Sequence, residues 1–196
     1  DCKSLSTIAI PNSVTSIGEF AFSGCSLLST IVIPDSVISI GKKAFDNCSN
    51  MKNIILSDGL LSIGSYAFND CHSLTSITIP KSISSIGENA FHKCYDLTSI
   101  NVDYNNLYYK SINENLYSKD GKELIKYTSG KTDTSFVIPS SVISIGDYAF
   151  YYCTNLNSIE IPNSVISIGD FAFSYCKKLQ TLDIPDSVLS IGDYAF

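Results

Sequence analysis

Seven cysteines form the most regular pattern in the 196-residue chain, at positions 2, 25, 48, 71, 94, 153 and 176. Thiols can pair as disulfides, hold zinc or act as nucleophiles. Zinc needs ligands at short spacing, and no Cys-x-x-Cys occurs. His72 follows Cys71 and His92 lies two residues before Cys94, and both read as surface histidines. The spacing is 23 residues except for one gap of 59, so each thiol takes the same inward position in successive repeats. Neighbouring side chains then run parallel, which disfavours the torsion a disulfide requires. The expectation is free, buried, inert thiols and no metal site. Asp147, Asp170 and Asp193 share the 23-residue period and as a row could hold Ca²⁺. Their equivalents elsewhere are Glu19, Lys42, Ser65 and Glu88, which reads instead as a solvated flank. No general base with a matched partner emerges. The chain is therefore expected not to be an enzyme, with no catalytic residue and no cofactor.

Composition narrows the partners. The chain is 44% hydrophobic and 16% charged, enough apolar content for a core. No apolar run approaches the roughly 18 residues of a membrane span, and the N-terminus shows no signal-peptide pattern. All 13 basic residues are lysines, dispersed among 19 acids for a net charge of −6, so nucleic acid is not an expected partner.

The elements that position these residues follow from the repeat. The segment from Ile10 to Phe22 recurs as 33–45, 79–91, 138–150, 161–173 and 184–196, with a looser copy at 56–68. This is a solenoid, whose units fold only by stacking. In each unit Leu5-x-x-Ile8-x-Ile10 reads as a short strand with one buried face, and Pro11 ends its pairing. Eight such strands are expected, near 5–10, 28–33, 51–56, 74–79, 97–102, 133–138, 156–161 and 179–184. Gly18 and its six equivalents mark a backbone position needing positive φ or close approach. Ala21, Phe22 and Cys25 fit a short helical or 3₁₀ turn.

The pattern L-x-x-I-x-I-P-x-S-V-x-S-I-G-x-x-A-F-x-x-C resembles the BspA-like, or Treponema-type, leucine-rich repeat over essentially the whole chain. Ser13 stands where the general leucine-rich form has Asn, so the Asn ladder of other leucine-rich proteins is not expected. The fold class expected is a leucine-rich repeat solenoid of 23-residue coils spanning 1–196, read as a window on a longer array.

The fifth unit departs from the period at 104–132, expected as a hairpin-bearing insertion. Asp120-Gly121 between apolar-containing strands signals a type I′ turn. The segment holds five of the twelve tyrosines, Tyr104, Tyr108, Tyr109, Tyr117 and Tyr127. Its five lysines against three acids give +2 and leave −8 on the rest. Those tyrosines either pack on the solenoid flank or form a binding element, for which Tyr108, Tyr109, Tyr117 and Tyr127 are candidates.

The open strand face is the main candidate surface, since extended faces are how repeat proteins bind macromolecules. Its outward positions include Thr7, Thr30, Asn53, Ser76, Thr78, Ser99, Asn101, Glu160, Thr181 and Asp183, small and hydroxylated and turning acidic toward the C-terminus. Asn47-Cys48-Ser49 is the one glycosylation sequon, and its middle residue is expected inside.

Two functions fit. The family resemblance implies a non-catalytic adhesion module of a cell-surface or secreted protein, with extracellular-matrix proteins such as fibronectin or fibrinogen as ligands. The alternative is a structural spacer or accessory module presenting another domain. Intracellular scaffolding, which would suit unpaired thiols, ranks below both.

Overall fold

Apolar residues return every 23 positions, and in the computed structural model, which describes residues 1–196, each return lies directly on the last. Sixteen short strands follow in chain order: β1 (Ser16–Ile17), β2 (Thr30–Val32), β3 (Ser39–Ile40), β4 (Asn53–Ile55), β5 (Ser62–Ile63), β6 (Ser76–Ile79), β7 (Ser85–Ile86) and β8 (Ser99–Val102). Then come β9 (Tyr109–Ile112), β10 (Asn115–Ser118), β11 (Glu123–Lys126), β12 (Ser135–Val137), β13 (Ser144–Ile145), β14 (Ser158–Glu160), β15 (Ser167–Ile168) and β16 (Ser190–Ile191). The expected strands appear in coils 2–7; the first and last coils keep the path without strand pairing there. Every coil but the fifth also carries a second strand that the pattern reading missed, at Ser-Ile before the repeat glycine. It pairs in parallel from coil to coil, Ile17 to Ile40 to Ile63 to Ile86 and Ile145 to Ile168 to Ile191. Two residues are too short to show a strand period, which is why the alternation rule passed over them.

The return turn is not helical. Ala21, Ser23 and Cys25 donate their N–H groups three residues back, while Phe20, Phe22 and Gly24 donate to Lys42, Ala44 and Asp46 of the next coil. A helix would spend every N–H within its own segment and keep every φ negative. Here Phe20, Lys43, Tyr66, Asn89, Tyr148, Phe171 and Tyr194 all sit at φ between 51° and 57°. Left-handed backbone costs a non-glycine residue roughly 1–2 kcal/mol. Stacking along the flank offsets part of that cost: Tyr148 lies 4.8 Å from Phe171, and Phe171 5.0 Å from Tyr194.

The repeat glycine is required for close approach alone, because its φ is not positive. A Cβ on Gly64 would meet the backbone of Gly41 and Lys42 at 2.6 Å. Inside the coils, rings stack from rung to rung, Phe22 on Phe45 at 5.2 Å and Phe45 on Phe68 at 5.6 Å.

Coil 5 breaks the pattern in a defined way. It keeps register with coil 4 through Ile79 opposite Val102, and Asn106 bonds the carbonyls of Pro80 and Ile83. After Tyr109 the chain makes an antiparallel meander, β9–β10–β11, and β11 rejoins the solenoid with Leu124 opposite Ile145. Asn113 and Glu114 both have positive φ and make the two-residue turn between β9 and β10, so the primed turn is here. At the expected site only Gly121 is left-handed, with its N–H on the Ser118 carbonyl, and a bulge follows in β10–β11. That is a type I turn closed by a left-handed glycine, and Lys119 and Asp120 adopt it without strain.

The core divides at this point. One cluster runs from Ile17 to Leu116 and the other from Tyr117 to Ala195.

Candidate recognition surfaces

The strand face stands outward as its alternation requires. Thr7, Thr30, Asn53, Ser76, Thr78, Asn101, Glu160, Thr181 and Asp183 are exposed, and Ser99 is half-buried, accepting a 2.8 Å bond from Asn101 Nδ2. Val32 and Ile55, opposite each other in β2 and β4, are 52% and 49% exposed and form an apolar strip among these hydroxyls. Beside them lies a shallow groove bounded by Ile8, Ile10 and Pro34.

The face is not continuous. β8 pairs with β6 but not with β12, because the meander occupies its free edge: Ile100 N–H donates to the Glu114 carbonyl and Val102 N–H to Ser111 Oγ. Lys131 holds the tip, 3.4 Å from Glu114 and bonded to the Asn113 carbonyl. The candidates from Thr7 to Asn101 thus share one stretch of face, while Glu160, Thr181 and Asp183 lie on another.

The insertion tyrosines separate into two groups. Tyr117 and Tyr127 are buried, and Tyr127 OH donates to Asp133 at 3.2 Å. Tyr109 is half-buried and its hydroxyl accepts the Ile86 N–H at 2.9 Å, capping the edge of β7. Only Tyr108, with Tyr104 and Leu107, projects into solvent. Asn106 fixes that loop, its Oδ1 accepting the N–H groups of Tyr108 and Tyr109 at 2.8 Å each. Sequence reasoning overlooked Leu107; its register with the exposed Ser84 of coil 4 was the available signal.

The other periodic residues have structural partners. All seven thiols are free. Cys48, Cys71, Cys94 and Cys176 each donate to the carbonyl of a phenylalanine one coil back, at 3.1–3.2 Å. Burial pushes Cys48 and Cys94 up to about 12. In the aspartate row, Asp147 Oδ1 accepts the Asp170 N–H at 2.8 Å and Asp170 Oδ1 the Asp193 N–H at 2.7 Å, so the carboxylates tie coil to coil. His72 engages Asp70 and His92 engages Asn69, separate partners on one flank.

These features agree with the comparisons. The family model described as the BspA type leucine-rich repeat region matches six copies over residues 1–122 and 127–196. The pneumococcal vaccine antigen PcpA is similar in structure, with TM-score 0.84 and 27% identity over 91% of this chain and 50% of that one. A leucine-rich repeat protein from Eubacterium ventriosum gives 0.83 and 30%, over 98% of this chain and 57% of that one. A leucine-rich cell surface protein from Faecalibacterium prausnitzii gives 0.74 and 29%, over 93% and 60%. The chain thus spans between half and two thirds of each of these structures. No curated protein matches it by sequence. With the repeat, the stacked coils and the family model in agreement, the chain belongs to the BspA-type leucine-rich repeat family.

Proposed function

We propose that this chain is a non-catalytic protein-interaction module of a cell-surface or secreted protein, binding host or extracellular-matrix macromolecules through its strand face. The observation that carries this reading is the exposed strip of Val32 and Ile55 within a flat, hydroxyl-bearing sheet. Apolar groups ringed by neutral polar ones are the composition of an interface core, and charges are sparse there. Similarity to a cell surface protein and to a vaccine antigen supports the location. Fibronectin and fibrinogen remain the first ligands to test.

The test is solid-phase binding of the chain to each immobilised ligand, beside a Ser76→Lys/Thr78→Lys variant and a Val32→Lys/Ile55→Lys variant, all checked for folding. Saturable binding lost in both variants is the expected result. Binding that survives both variants removes the strand face from the proposal. It would favour Tyr104, Leu107 and Tyr108, whose exposed side chains stand on a loop pinned by Asn106. No binding to either ligand favours the spacer reading.

A further inference from the structure

Coil 5 returns to the solenoid two residues short. Three steps separate Leu124, which pairs with Ile145, from Tyr127, whose N–H bonds the Ala149 carbonyl; other coils take five, as from Ile145 to Phe150. The missing turn leaves a cleft of about 270 Å³ between coils 4 and 6. Ile125 lines it, in the place of the repeat glycine, and coil 4 stands far enough back for a side chain there.

The residue before the ring rung is alanine in every other coil, from Ala21 to Ala195, and in coil 5 it is Lys126. Lys126 is only 8% exposed, lines the cleft and pairs with no carboxylate. Its ammonium donates to the Tyr148 carbonyl at 3.0 Å, one partner for three protons. Burying a cation with so little compensation is costly, and the alanine of every sister coil avoids that cost. Across the gap, the N–H groups of Asn89 and Phe91 have no acceptor, whereas Tyr66 and Phe68 one coil earlier donate to Glu88 and Ala90. Three donor groups therefore border one cleft without their normal partners.

We propose that this cleft binds the oxyanion of a small hydroxylated ligand, a sugar acid being the class that fits. Lys126 and the two backbone N–H groups take the carboxylate. Glu88, Glu123 and Asp147 line the same cleft and are exposed, so they accept hydrogen bonds from ligand hydroxyls; their charge opposes any anion, and a doubly charged phosphate more than a single carboxylate. Tyr148 and Ile125 supply apolar contact. This site is separate from the strand face and does not depend on it.

Calorimetric titration of the whole chain with glucuronate, glucose and inorganic phosphate tests the assignment. Glucuronate is expected to bind saturably and glucose about tenfold more weakly or not at all, as loss of a charge-assisted bond requires. Lys126→Ala, which restores the residue of the other coils, and Lys126→Met are both expected to fold with an equal or higher Tm and to bind glucuronate at least about tenfold more weakly. Absence of glucuronate binding to the native chain, or unchanged binding to both folded variants, overturns the site. Phosphate binding more tightly than glucuronate overturns the sugar-acid assignment.

Discussion

The ring of Tyr127 lies 5.3 Å from that of Phe150, with 25° between their planes, and so heads the second ladder of rings, in a coil that has no phenylalanine. Its hydroxyl reaches Asp133, but the ring carries the packing. Tyr127→Ala is expected to lower stability by about 3–5 kcal/mol and Tyr127→Phe by less than about 1 kcal/mol, measured by urea unfolding.

Asn106 makes four hydrogen bonds at a position held by Val37, Leu60 and Ile83 in earlier coils. Its replacement by alanine strands the buried Ile83 carbonyl and two N–H groups, while the Pro80 carbonyl keeps the Ile83 N–H. A loss of about 2–4 kcal/mol is expected. Amide exchange at Tyr108 and Tyr109 should accelerate while that of coils 1 to 3 stays unchanged.

Thiol labelling should divide the cysteines by accessibility. Exposed Cys2 and half-buried Cys176 are expected to react with a disulfide reagent in the native chain. The neighbouring Cys153 thiol also holds Cys176 below its ordinary value. The five buried thiols should react only after unfolding. Rapid native labelling of Cys71 would contradict the ladder.

His92 gives a pH dependence of known sign. Burial, with Lys126 and Lys93 nearby, lowers it to about 4 from an ordinary 6.5. Its folded-state value is depressed, so its full contribution is present above pH 6.5 and is lost as pH falls toward 4. The loss is about 2 kcal/mol after allowing for partial contact with water. Melting curves between pH 7 and 4 should show a shallower acid decline for His92→Gln than for the native chain.

The aspartate row should act as a tie between coils. Asp170→Ala removes the acceptor for the Asp193 N–H and is expected to cost about 1 kcal/mol. Calcium is expected to leave the Tm of the native chain unchanged.

How much of this was legible follows from what repeats. Period, core rungs, the thiol row and the outward strand positions each recur six or more times, and repetition makes a weak local signal strong. The return turn was misread because its alternating left-handed residues are Phe, Lys, Tyr and Asn, types that carry no expectation of positive φ. Asp120-Gly121 drew attention from Asn113-Glu114, where neither residue is glycine. Lys126 passed unnoticed among the lysines of the insertion. Only the register of Leu124 with Ile145 reveals that it stands on the alanine rung.

Coil 5 gives its strand half, through Asn106, to the coils before it, and its turn half, from Leu124, to the coils after it. Carpenters call such an overlap a scarf joint. In a one-dimensional stack, cooperativity passes only between neighbours, and here it passes through three antiparallel strands and a flank of rings, His92 on Tyr148 and Tyr95 on Tyr152, instead of a full coil interface. Pulled from its ends, the array would therefore part first at this splice, letting the cleft open while the ladders on either side stay intact.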